Sequence, residues 1–189
     1  MLDNRSFATA YSEEAFRSFR GYKRMADGTF AQIDDQAFFH LPDPESNSIA
    51  ILVKHISGNL RSRWTDFLTT DGEKPDRNRD QEFVLTPADT REDLMRRWEA
   101  SFDTVFSTLK ALKPEDFDKT VYIRNEPHSI IQAVNCSMNH VAGHISQIVF
   151  LGKLLRGTEW KTLSIPRGKS AEFNAMKPED RKVKSPTRG

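Results

Sequence analysis

Cysteine is almost missing. A single one, Cys136, stands among 189 residues, so no disulfide can close within the chain and a reducing compartment is expected. An excess of either charge is missing too. Lysine and arginine number 28 against 27 acidic residues, a net charge of +1. So even a balance sets up no field to gather DNA or RNA, and no nucleic-acid partner is expected. No apolar run approaches the ~20 residues that a membrane span needs. The start, Met1-Leu-Asp-Asn-Arg, lacks the apolar stretch of a secretory signal. The expectation is a cytoplasmic protein with no membrane partner. Tyrosine and tryptophan are scarce, three of each, but phenylalanine is abundant at thirteen, so an aromatic core should rest on Phe. With 37% apolar and 29% charged residues, the mixture is polar yet foldable. The length suits one domain, placed at residues 1–175, with a charged, flexible tail over 176–189.

The apolar spacing is that of helices. A first helix is read from about Phe7 to Ile33 through Phe16, Phe19, Tyr22 and Phe30, with a break or kink at Asp27-Gly28. Pro42 and Pro44 then stop any helix. A second helix starts near Ser46 or Asn47 and buries Ile49, Leu52, Val53, Ile56, Leu60, Trp64 and Phe67. Thr69 to Asp89 reads as a long ordered loop with a short extended piece at Phe83-Val-Leu85, and loops of that length are often functional. The third helix, about Thr90 to Leu112, carries Leu94, Trp98, Phe102, Val105 and Leu109. Thr120 to Arg124 is a solitary extended stretch over one end of the helices, and Pro127-His128-Ser129 leads into a fourth helix that ends at Gly157. The fold class is therefore all-α, a four-helix bundle with a long crossover between helices two and three. Trp160 to Phe173 has apolar anchors enough to pack on it as a C-terminal extension.

The chemistry lies in the fourth helix, in His140-Val-Ala-Gly-His144. Histidines four apart on a helix sit one above the other and can converge on one ion. On the second helix His55, Asn59 and Arg63 form an i, i+4, i+8 row at the edge of the buried stripe. Both rows can look into one cleft. Three imidazoles suit a divalent metal such as zinc, nickel, iron or copper, and leave positions for water or a small-molecule substrate, as catalytic sites do. The competing reading is that of core histidines bonded to backbone carbonyls. The spacing is not that of a zincin, because Val141 stands where the general-base Glu would be. Gly168-Lys169-Ser170 is not the end of a phosphate loop, because Leu163 replaces the earlier glycine. His40 reads as a surface residue, His128 as a helix-start residue and Cys136 as a small buried residue. Each ligand imidazole needs an acceptor for its other N–H, and Gln147, Asn59, Glu126 and backbone carbonyls are within reach of the pattern. Arg63 would clamp an anion if it faces the cleft.

Four stretches carry a family likeness: Pro42 to Ala50, Val53 to Phe67 with Gly72-Glu-Lys-Pro75, Asn139 to Val149, and Trp160 to Asn174. On them the chain resembles the DinB-like (YfiT-like) four-helix-bundle metalloproteins, in an uncharacterised bacterial branch. The resemblance implies a divalent metal on His55, His140 and His144; the expected ion is zinc or nickel first and iron or manganese next. It also implies a bundle with a long crossover, and often a homodimer. Some relatives are thiol transferases or isomerases using low-molecular-weight thiols such as bacillithiol or mycothiol, so a thiol cofactor is an option. The expected function is a metal-dependent thiol S-transferase or hydrolase, with Asn59 or Arg63 positioning substrate. The alternative is a non-catalytic metal-binding module for stress response or interaction.

Overall fold

The computed structural model describes residues 4–177. Residues 1–3 and the tail from 178 on lie outside the described residues, and with them nearly all of the tail segment expected over 176–189. Four long helices dominate: α1 (Asn4–Phe30), α3 (Ile49–Trp64), α4 (Arg91–Ala111) and α5 (Ile130–Arg156), with short α2 (Asp35–Phe39) and α6 (Ser170–Ala175). Helix α1 packs on α4 and α5, and α3 packs on the same two. The four thus enclose one core. No helix among the described residues is long and apolar enough to cross a membrane.

Side-chain caps set the helix starts. Ser48 accepts from the Ile51 amide, Thr90 from Asp93 and Ser129 from Gln132. The second helix therefore begins just past the expected Ser46 or Asn47. Ser129 and Gln132 close a reciprocal capping box, and Gly157 ends α5 with φ +58°. The helical stripes meet in the centre, where Phe19 stands edge-on to Trp64 at 5.4 Å and Phe30 to Trp98 at 5.5 Å. The two buried indoles each donate a hydrogen bond across a helix pair, Trp64 to Ser137 Oγ (3.0 Å) and Trp98 to Asp27 Oδ1 (3.1 Å).

Four expectations need correction. Helix α1 runs unbroken through Gly28. The glycine is there because the C-terminal extension docks on it: a Cβ would stand 2.8 Å from Leu163 Cδ2. Residues 35–39, unassigned in the sequence, form α2 under an Asp34 cap. Of the piece Phe83-Val-Leu85, Phe83 is not extended but closes a 3-10 turn, Asp80–Phe83, and Val84 after it is extended (φ −113°, ψ 115°). The stretch at Thr120 is not solitary. It is β1 (Thr120–Ile123), paired antiparallel with β2 (Glu126–Ser129), Val121 opposite His128. Arg124 and Asn125 make the two-residue turn at φ 56° and 63°, and Pro127-His128 is strand rather than lead-in.

The hairpin anchors the crossover. Asp71 accepts from the amides of Arg124 (2.9 Å) and Asn125 (2.7 Å), and the Gly72 amide donates to the Tyr122 carbonyl at 2.8 Å. Ser62 Oγ on α3 donates to the Gly72 carbonyl at 2.7 Å. The loop is thus held at both the hairpin and the helix it leaves.

Candidate metal centre

His55 comes from the middle of α3, and His140 and His144 from adjacent turns of α5. The structure brings all three together. Ring centroids are 5.0 Å apart for His55–His140, 4.9 Å for His55–His144 and 4.6 Å for His140–His144. The rings stand nearly at right angles, so their nitrogens can point at a common centre. One ligand atom from each lies within 4.8 Å of the others, and the three residues could hold a metal ion there.

The tautomers can be read from the partners. Glu82 Oε2 lies 2.8 Å from His55 Nδ1. Burial alone would raise the Glu82 carboxyl, but Arg77 and His55 together outweigh it and hold it below the usual range. An ionised carboxylate only accepts, so His55 Nδ1 carries a hydrogen, which in the neutral imidazole leaves the lone pair on Nε2. His144 Nδ1 likewise faces the amide oxygen of Gln147 at 2.9 Å, one of the several acceptors that the sequence left open. His140 is different. Its Nε2 is buried and has no hydrogen-bond partner. A core histidine kept for packing would be expected to satisfy that atom, since an orphaned buried polar group costs about 1–3 kcal/mol. Burial, then the neighbouring His144 and His55, push the His140 pKa from 6.5 to about 4. Burial also lowers that of His144. Both imidazoles are therefore neutral at pH 7, the form that binds metal. The donor set, its orientation and the orphaned nitrogen all fit a divalent ion.

The partner of His55 was missed in the sequence. Glu82 is 8% exposed and also receives Arg77 Nε (2.8 Å) and Nη2 (2.9 Å). Arg77 continues to Glu73 at 3.1 Å, and Glu73 meets Arg63 at 3.3 Å and Arg124 at 3.3 Å. The crossover thus places its charged residues behind the histidines. Gly58, one turn from His55, makes room, since a Cβ there would collide with Glu82 Oε1. A glutamate in a polar loop has no periodicity to mark it. The one available signal was Gly58, a glycine mid-helix.

The other candidates lie as follows. Asn59 is buried, one turn along α3 from His55, but Glu82 rather than Asn59 or Glu126 bonds to His55. Arg63 is half-buried and tied to Glu73. Cys136 is exposed, not buried as read. His40 is exposed and follows α2, and the His128 ring bonds to the Glu126 carbonyl at 2.9 Å within the hairpin; neither joins the cluster.

Fold and site together define a mainly helical protein with a three-histidine cluster that could hold a metal ion. Residues 6–169 match the family model described as "Protein of unknown function (DUF1572)", and the chain belongs to that family. No curated protein and no solved structure matches it.

Proposed function

We propose that this chain is a DinB-like four-helix bundle and a divalent-metal-dependent enzyme, with His55, His140 and His144 as ligands. The reaction best suited to it is low-molecular-weight-thiol S-transfer or hydrolysis. The observation that carries the reading is the buried, unpartnered Nε2 of His140, set against two imidazoles whose Nδ1 atoms are already committed. Imidazole ligands suit zinc, nickel, iron and copper alike, and zinc or nickel is the ion proposed. A bound divalent ion would supply Lewis acidity, making a thiol or water ionise near neutral pH. The chain's own residues do the rest. Glu82, kept ionised by Arg77, fixes the tautomer and direction of His55. Gln147 does the same for His144. Asn59 and Arg63, one and two turns along α3 from His55, position the substrate. A panel of low-molecular-weight thiols with electrophiles, assayed with metal supplied, tests the reading. Turnover that disappears in His140→Ala supports it, and a metal-loaded chain that turns over none of them contradicts the transferase.

A second reading has its own observation. Phe150 and Leu154 on α5 are 65% and 61% exposed, an apolar pair one turn apart that suits a partner or a second copy of the chain. In that case the metal serves a non-catalytic interaction module. Partner capture that survives His140→Ala but fails with Phe150→Ser would favour it.

A further inference from the structure

The turn that delivers Glu82 also builds the rim of the cluster. Phe83 lies with its ring centroid 4.6 Å from that of His55, tilted by 32°. Arg79, just before the turn, holds its guanidinium carbon 5.1 Å from the Phe83 centroid. His55, Phe83 and Arg79 therefore form a column from the buried imidazole outward.

The two arginines of this segment differ in kind. Arg77 is 3% exposed in its side chain and committed to Glu82 and Glu73. Arg79 is 51% exposed, and its ion partner, Asp80, is 3.7 Å away and 91% exposed. A pair so long and so solvated holds its members weakly, and Arg79 can exchange Asp80 for another anion. Arg63, the arginine singled out in the sequence, lies deeper: its side chain is 16% exposed and its Nη2 meets Glu73 at 3.3 Å. The planar guanidinium fork matches a carboxylate in two parallel hydrogen bonds.

We propose that Arg79 is a substrate-binding residue, selecting molecules whose carboxylate it holds at the rim while another atom of the same molecule reaches the histidine cluster. This rests on the metal-site reading above and adds a substrate class to it: small thiols or other metal-seeking molecules that carry a carboxylate. Phe83 serves as the platform on which the exposed guanidinium lies, 5.1 Å above the ring centroid.

The test uses the full chain loaded with cobalt(II), whose visible spectrum changes when a thiolate binds. Dissociation constants are measured for 3-mercaptopropionate and for 2-mercaptoethanol, compared at equal thiolate concentration. A charge-assisted hydrogen-bond pair should favour the carboxylate thiol roughly tenfold or more. In Arg79→Gln that advantage should fall away while the cobalt affinity stays as in the parent chain, and Arg79→Lys should restore part of it. Equal affinity for the two thiols in the parent chain overturns the proposal. So does an advantage that persists in Arg79→Gln, which would mean that the carboxylate meets the metal and not the arginine. Failure of cobalt to bind is a separate result, and it removes the metal reading and this inference together.

Discussion

An imidazole binds metal only through an unprotonated nitrogen, so the electrostatics around three side chains decide what this site can do. His140 titrates near 4 in the folded protein against an ordinary 6.5. Between those values the unfolded chain binds more protons than the folded one. This part of the stability is therefore complete above about pH 6.5 and is lost as pH falls toward 4. Urea midpoints of the metal-free protein should decline across that window, and His140→Gln should flatten the slope; an unchanged slope would assign the acid sensitivity elsewhere. Glu82 acts on the same chemistry from behind. Glu82→Gln keeps the shape but removes the charge that orients His55, and metal affinity should weaken by roughly 10–100-fold, as read by chelator competition. Affinity equal to the parent's would reduce Glu82 to a partner of Arg77 alone.

At the level of elements, close approaches are written in glycine. Gly152 on α5 lies so near α1 that a Cβ would overlap Thr29 Cγ2. Gly152→Ala should cost about 1–3 kcal/mol through overpacking, measured by denaturant unfolding. Gly58 on α3 is the sharper case. Alanine is intrinsically better in a helix by about 1 kcal/mol, yet here its methyl would displace Glu82 from its place behind His55. Gly58→Ala should therefore lower both stability and metal affinity, and a more stable variant with intact affinity would contradict that packing. These contacts also show what was legible. The long helices were plain from their apolar spacing, and the row His55, Asn59, Arg63 could be set against His140 and His144 because helical geometry is regular. Gly28 was misread as a break because what it accommodates, Leu163, is more than a hundred positions away. The β-hairpin was half seen, since Arg124-Asn125 is not the Asn-Gly pair that announces such turns. Glu82 had only the mid-helix Gly58 to hint at it, because a loop residue's neighbours are set by the path of the loop.

Across the whole molecule, the cluster joins two helices that are distant in the chain, and the crossover and hairpin lock behind one of them. Anything that binds the three histidines must therefore favour the folded form. Metal at a hundred times its dissociation constant should add about 2.7 kcal/mol of stability, raising the melting temperature by roughly 5–10 °C for a chain of this size. A chelator should reverse the gain, and His144→Ala should abolish it. The central claim is that three imidazoles from α3 and α5 hold a single divalent ion. Elemental analysis of the chain purified without a polyhistidine tag, after dialysis, tests it most directly. The account predicts one equivalent of a transition metal in the parent protein and none in the His55→Ala, His140→Ala or His144→Ala variants. A parent protein that retains no ion even after zinc or nickel is offered, or a His140→Ala variant that retains it in full, would contradict the account.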